Sequence, residues 1–313
     1  MALPTGSFTG TSDISNLVKA AYDQYVRMAL RSIPVMRALA DVKPVQQAMP
    51  GSSVVFSIYS DLAAATSTLT ETSDVSSIAL GNPSQVTVTL NEYGSAVTTT
   101  KKLNLTSFND VDAALADIIA YNAADSIDAV VAAVLTGGTN VIYGGNATTT
   151  NTIDSGDTIS VADIRNAVTE LRTNKALPRL GELYAAYLHP RQAADLRAES
   201  GTGGFQDIVK YTDNVSKTII PGSVGVIEGA FVVETPRVPY AANTNSPAVN
   251  VYKAVVAGRE ALAEAMGQDI NTVIGPEIDA LRRFRTIGWY YFGGFARLRE
   301  AALYRIETSA SAG

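Results

Sequence analysis

SFNDVDAALADIIAYNAADSIDAVVAAVL, residues 107–135, is the stretch on which the reading of the fold turns, because it reads as one unbroken helix. Neither Pro nor Gly interrupts it, and 29 residues at helical rise give about 43 Å. Ser107 stands where an N-cap belongs. Asp110 follows three residues later and Asp112 lies near the first turn, where carboxylates meet the positive helix end. Gly137-Gly138 supplies the stop. Phe108, Val111, Leu115, Ile118, Ile119, Ile127, Val130, Val131 and Val134 recur at helical spacing and form an apolar face. The other face carries Asp110, Asp112, Asp117, Asp125 and Asp128, with no Lys or Arg in the segment. A helix so one-signed cannot balance itself through i,i+4 pairs. Either basic groups from elsewhere in the chain or another subunit meet it, or it is a solvated acidic face over a core.

The chain has 313 residues, 46% of them hydrophobic and 17% charged, with a mean hydropathy of +0.10. That suffices for a sizeable core and leaves room for two domains. No run of eighteen apolar residues occurs, so no membrane span is expected. The opening MALPTGSFTGTSD lacks the basic and apolar regions of a secretory signal. With no Cys, disulfides and thiolate metal sites are excluded, which fits a reducing cytoplasm. A net charge of −6 argues against a dedicated nucleic-acid binder, although a local basic patch is compatible with it. His189 is the only His, which removes His-based triads and multi-His metal sites. Neither a P-loop string nor GxGxxG occurs, and nothing marks out a carboxylate pair. No catalytic residue, cofactor or metal site is expected, and the chain reads as a non-enzyme.

Upstream of the long helix, residues 1–12 read as a loose arm. From Asp13 an amphipathic helix begins, with Ser12 as its cap and Pro34 as its stop. Residues 51–102 look extended. VVFSIYS (54–60) and QVTVTLNEYG (85–94) have strand character, the second with Val86, Val88 and Leu90 alternating against Thr87, Thr89 and Asn91. The connection 61–84 is mostly Ser, Thr and small residues, and links of that length are functional loops or unstructured ones. It reads as an arm laid over a neighbouring subunit, the alternative being a mobile surface loop.

Downstream, residues 137–157 read as loop with at most a short strand. Asp154, Gly156 and Asp157 lack the spacing of a calcium loop. VADIRNAVTELRTN (161–174) is a helix with Ser160 as cap and Asp163 in the capping-box position. LYAAYL (183–188) is a buried strand, and Pro190 at a first helical position makes His189 a strand-to-helix junction. Residues 201–204 form a break before a mixed segment, 205–218. A hairpin turning at Glu228-Gly229 follows, then strand-like 249–254 and 255–262 broken near Gly258, then a short strand or loop at 266–275. The tail, from residue 278, is rich in aromatic and β-favouring residues and predicts one or two long strands returning to the first half of the fold.

That tail holds Arg282, Arg283, Arg285, Arg297, Arg299 and Arg305, interleaved with Phe284, Trp289, Tyr290, Tyr291 and Phe292. Basic and aromatic residues so mixed suit nucleic-acid contact. The favoured reading pairs these Arg with acidic groups, the helix Asp among them, because guanidinium forks match carboxylates. Asp112, Asp117, Asp125, Arg282, Arg283 and Arg285 are the candidate inter-subunit contacts.

GSSVVFSIYSDL (51–62), VTLNEYGSAV (88–97), YLHPRQAADLRAE (187–199), GVIEGAFVVETPRVP (225–239) and DALRRFRTIGWYYFGGFARLREAALYRIETS (279–309) occur in an order that resembles the major capsid protein of tailed bacteriophages. The resemblance is to the Hong Kong 97-like fold and, within it, to the N4-like capsid family. It implies an α+β fold with an N-terminal arm (1–45), peripheral-domain strands with an extended loop (46–103), a spine helix (104–138), an axial domain (139–275) and C-terminal strands returning to the peripheral domain (276–313). It implies a chain that self-assembles as hexamers and pentamers into an icosahedral shell around double-stranded DNA, in a virion assembled in the host cytoplasm. The implied partners are further copies of itself, a portal at one vertex, a separate scaffolding protein and decoration proteins, with no membrane and no cofactor. Some members of the fold crosslink through a Lys in the extended loop, but no Lys occurs here between Lys43 and Lys101, so that reaction is not expected. The long cleaved scaffolding segment of some members is also not expected. An encapsulin-like nanocompartment shell and a carboxylate-dependent hydrolase are the alternatives, with a surface-layer protein disfavoured by the opening residues.

Overall fold

The computed structural model describes residues 35–44, 52–59, 61–69, 71–75, 77–106, 111–200, 223–245, 247–277 and 280–311. The helix expected ahead of Pro34, the Ser107 cap and the segment 205–218 lie outside them. A 3₁₀ turn, Met36–Leu39, opens the described chain and leads into β1 (Ala40–Pro44). There follow β2 (Ser53–Ile58), β3 (Ser84–Thr89), β4 (Asn91–Thr100), α1 (Lys101–Thr106), α2 (Val111–Thr136) and β5 (Val141–Tyr143). After these come α3 (Val161–Thr173), β6 (Tyr184–Leu188), α4 (Pro190–Ala198), β7 (Ser223–Ile227), β8 (Ala230–Glu234), β9 (Tyr240–Ala242) and β10 (Asn250–Ala257). The chain ends with β11 (Leu262–Ile274), β12 (Phe284–Arg297) and β13 (Leu303–Thr308).

Two sheets carry the fold, and α2 joins them. The first has the order β1-β11-β12-β4. The second is β5-β13-β10-β6-β8-β7, with β9 added on β10. Along α2, Ile119, Ala123, Ile127, Val131 and Leu135 are all buried. They recur every four residues, so they form one stripe down the helix. The first three meet Ile287, Trp289 and Tyr291 of β12. The last two, with Met36 and Leu39, meet Tyr187, Val233 and Val255 of the second sheet. Trp289 also donates from Nε1 to Asn122 Oδ1 on α2, at 2.9 Å. Asp117–Thr136 is long and apolar enough to cross a membrane by composition, but this stripe is the junction between the sheets. The helix closes with tightened bonds, from Gly137 N to Val134 O and from Gly138 N to Leu135 O.

The second sheet is covered on both faces, so its strands are continuous apolar runs rather than alternating ones. In β6, Tyr184, Ala186 and Leu188 face α3 and α4, through Ile164, Val168, Leu171 and Leu196. Ala185 and Tyr187 face α2 and the 36–40 segment. The Ser160–Asp163 capping box is present in both directions. His189 caps α4 through Nδ1, which accepts from Arg191 N, with Pro190 at the first helical position. Burial holds the imidazole pKa below its ordinary value, with Arg191 adding to the effect. Glu228 and Gly229 both take positive φ (49° and 86°), as a two-residue type I′ hairpin turn between β7 and β8 requires.

Three features differ from expectation. A second helix, α1, precedes the long one. Residues 262–274 form a single long strand, not a strand ending at 262 followed by a short piece. Two register slips, between Met266 and Gln268 and between Gln268 and Asn271, break its alternation and hide it from periodicity. The sheets also divide the chain elsewhere than at 275. β11 lies in the first sheet between β1 and β12, whereas β13, in the tail, lies in the second between β5 and β10. The crossing points are the break at 258–261, where Glu260 takes φ 60°, and the 298–302 link.

Candidate functional site, the assembly surfaces

The β2–β3 ribbon pairs in register from Ser53↔Thr89 to Ile58↔Ser84 and belongs to neither large sheet. Its base is seated, with Val54, Phe56, Val88 and Leu90 packed on Ala263 and Ala265. Leu90, between β3 and β4, donates to Ser52 O at 2.8 Å and marks where ribbon becomes sheet. Among the described residues between Ile58 and Ser84 there is no helix or strand, and Leu62, Leu69, Val75, Ile78 and Leu80 are 58–78% exposed. A two-stranded ribbon is marginal alone, and clustered exposed apolar side chains mark an interaction surface. The same loop carries Asp61, Glu71 and Asp74 and no basic residue.

The helix carboxylates are more divided than their common face suggests. Asp125 pairs with Arg237, in the turn after β8. Asp128 is wholly buried and accepts from the main-chain N–H groups of Val35 (3.3 Å), Met36 (2.7 Å) and Arg37 (3.0 Å). Burial outweighs those three donors and raises its pKa above the ordinary carboxylate value. Asp117 is exposed. Asp110, and the side chain of Asp112, lie outside the described residues. Asp125 and Asp128 therefore fasten parts of their own chain, and neither takes its partner from the tail.

Tail arginines do reach α2, at its end. Arg297 donates to Val134 O at 2.9 Å, and Arg305 to Thr136 O and Gly138 O. Cations belong there, against the last unpaired carbonyls of a helix. Arg299 pairs with Glu260 at 2.9 Å. Arg282 and Arg283, in the β11–β12 turn, and Arg285, at the start of β12, come together elsewhere, at the far tip of the first sheet. With Lys101, Glu277 and Phe284 they line a notch of about 110 Å³. Lys101 N donates to Arg283 O at 2.7 Å, which ties α1 to this turn.

A family model described as phage capsid protein matches residues 9–311. The chain belongs to the phage capsid protein family. Solved structures resemble this capsid protein over its whole length at low identity. The capsid of Ralstonia phage GP4 has a TM-score of 0.76 at 16% identity, covering 98% of both chains. The acid-stable capsid of Helicobacter pylori bacteriophage KHP30 has 0.72 at 15%, covering 98% of this chain and 100% of the other. The Cyanophage Pam1 capsid has 0.71 at 12%, covering 99% and 100%. No curated protein is significantly similar in sequence. The fold is Hong Kong 97-like, and the capsid protein is a structural component of a phage virion. Neither the nanocompartment nor the hydrolase alternative gains support.

In this capsid protein, sequence reasoning missed the grip on residues 35–44. Arg37 reaches the wholly buried Glu264 with Nε (3.2 Å to both oxygens) and a terminal nitrogen (2.7 Å), and reaches Asp269 at 3.0 Å. Tyr291 donates to the same Glu264 oxygen at 2.9 Å. Burial opposes the Arg37 charge, but the hydrogen bonds to Glu264 and Asp269 hold its pKa above the ordinary value. Arg179 pairs with Asp41 at 2.7 Å, and Asp41 also accepts from Glu260 N at 2.9 Å. One signal was available: Glu264 is a lone acid inside an apolar strand run, ALAEAM.

Proposed function

We propose that the capsid protein assembles as hexamers and pentamers into a closed icosahedral shell around packaged double-stranded DNA, built in the host cytoplasm. A portal at one vertex, a separate scaffolding protein and decoration proteins complete the particle. The first sheet with α2 is the peripheral domain, the second sheet with α3 and α4 is the axial domain around each capsomer axis, and the β2–β3 ribbon with its loop lies across the adjacent subunit. The observation that carries this reading is the loop: Leu62, Leu69, Val75, Ile78 and Leu80, five large apolar side chains, are exposed on it. Repetition supplies what one such contact cannot, because each docked arm raises the effective concentration of the next. Covalent crosslinking has no Lys to use in this loop.

The test replaces residues 59–83 with Asn-Gly, which keeps the pairing of Ile58 with Ser84 and closes the ribbon with a favoured two-residue turn. The expected outcome is soluble subunits with an unchanged thermal melt and no shells by negative-stain microscopy. Shells of normal size from this variant would overturn the reading.

A further inference from the structure

His189, the only His in the chain, stands where β6, α4, β9 and β10 meet, and it holds a contact that only a neutral imidazole can make. Its Nδ1 accepts from Arg191 N at 3.2 Å, so it satisfies one of the donors that the start of α4 leaves open. Its own N–H donates to Gln192 Oε1 at 3.2 Å, which closes the capping box. The half-buried ring packs on two tyrosines, with its centroid 4.7 Å from that of Tyr252 and 5.7 Å from that of Tyr240. Those two stack on each other at 5.1 Å and 28°, directly opposite in the β9–β10 register. Arg191 completes the corner by donating to Tyr252 Oη at 3.0 Å.

Of the elements in this corner, β9 is the most weakly held. It is three residues long and all three are exposed, so its ladder to β10 and the stacked Tyr240 ring carry much of its attachment. Protonation of His189 acts on both sides of the corner. An imidazolium bears a hydrogen on each nitrogen, so Nδ1 would meet the Arg191 N–H donor to donor, at the positive end of a helix. Facing the ring are Arg191 from α4, Tyr240 from β9 and Tyr252 from β10, which makes one group of the same sign and two phenols that stay neutral in acid. The carboxylates of adjoining elements are engaged elsewhere. Asp195 accepts from Ser311 N at 2.9 Å, Glu234 pairs with Arg197 at 3.2 Å, and Glu307 pairs with Arg305 at 2.8 Å. The tyrosine faces attract a cation, yet they cannot supply the acceptor that Nδ1 loses.

We propose that His189 is an acid switch for the corner made by α4 and β9. Neutral, it caps α4 and backs the Tyr252–Tyr240 stack; protonated, it loses its acceptor nitrogen and releases the helix start and β9 together. Burial and then Arg191 hold its pKa below the ordinary value. A base so lowered contributes stability that is complete above about 6.5 and is lost as pH falls below it. Asp128 and Asp163, raised by burial, act with the opposite sign, since a raised carboxyl favours the fold as pH falls. The switch belongs to the single subunit and does not depend on where the β2–β3 loop lies.

Hydrogen exchange of the native chain at about pH 7.5 and about pH 5.5, corrected for the intrinsic pH dependence of exchange, tests it. Amides of 191–199 and 240–243 should open about fivefold more often at the lower pH, the change that one lost N-cap makes. Those of 254–257, in the buried part of β10, should not change. His189→Asn keeps a capping acceptor and cannot titrate, so it should show no such rise. An equal rise in both proteins, or none in the native chain, overturns the proposal. A single His gives a single imidazole signal, so NMR titration of the native chain is a second measurement that needs no variant. Its midpoint should lie below about 6.5 and coincide with the midpoint of corner opening. A midpoint at or above that value, or an imidazole that titrates while the corner stays closed, overturns the proposal as well.

Discussion

Tyr187 donates its phenol proton to Val35 O at 3.2 Å, on the same short segment whose N–H groups are held by Asp128 and whose Arg37 is held by Glu264. Three buried polar groups, from α2, β6 and β11, thus converge on residues 35–37. Each would be costly alone in an apolar setting, and each is satisfied here. Removing one member of a buried ion pair such as Arg37–Glu264 strands the other, which is why such networks cost several kcal/mol to break, about 3–5. Tyr187 gives the group a pH signature. Burial, then the nearby Asp128 charge, push its phenol up to about 12, against a weaker pull from Arg179. A raised folded-state value favours the fold at every pH below the unfolded value of about 10, and that stability is lost as pH climbs through about 12. Tyr187→Phe should therefore cost about 1 kcal/mol at pH 7 through the lost hydrogen bond. It should also flatten the fall of stability between pH 10 and 12 relative to the native chain. Urea melts across pH 7–12 check both, and identical alkaline limbs in the two proteins would exclude Tyr187 as the titrating group.

At the scale of elements, the seating of the ribbon on the sheet depends on one absent side chain. A Cβ on Gly294 would stand 2.0 Å from Thr89 O and 3.0 Å from Val88 Cγ1. Thr89 O is main chain, so the ribbon itself would have to shift. Gly294→Ala should lower stability by about 1–3 kcal/mol, the range for overpacking a close contact. It should also open the 52–89 segment to limited proteolysis, whereas Gly156→Ala, where a Cβ meets nothing within 4 Å, should change neither. Equal protease resistance in both variants would show that the ribbon is not seated there. This contact was invisible in the sequence, because GG at 293–294 has no side chains to pattern and only the pairing reveals what lies against it. Other elements were legible for definite reasons. Helix α3 has its cap, its capping box and its period in one place, and α4 has its Pro. The stripe of α2 was readable from Ile119, Ile127 and Val131, but not that its two halves serve different sheets, since a period says which face is apolar and not what covers it. The Asp face misled in part for the same reason. Asp128 sits one position from Ile127 on that stripe, and its partners are main-chain N–H groups that carry no residue signature.

For the whole molecule, the internal polar bonds and the proposed external ones respond differently to salt. The bonds that join the two sheets are shielded: Glu264 and Asp128 are fully buried, and the Asp125–Arg237 pair is partly so. Buried pairs are screened little. Residues 61–83 carry a net −3, and on the reading that they lie over a neighbouring copy, their attraction to basic groups there acts over a screening length of about 10 Å at 0.1 M salt and about 3 Å at 1 M. Raising NaCl across that range should slow assembly and lower shell yield, while the thermal melt of the isolated subunit moves little. Light scattering during assembly measures the first effect and calorimetry the second. The apolar part of the contact runs the other way, since burying Leu69, Val75 and Ile78 is not weakened by screening. If apolar burial dominated, yield would hold or rise with salt, and the charges would serve only to exclude wrong registers. A falling yield with an unmoved melt assigns the salt-sensitive step to docking between copies. A parallel fall in both would place it inside the subunit, at the grip on residues 35–44, and would remove the loop charges as the assembly determinant.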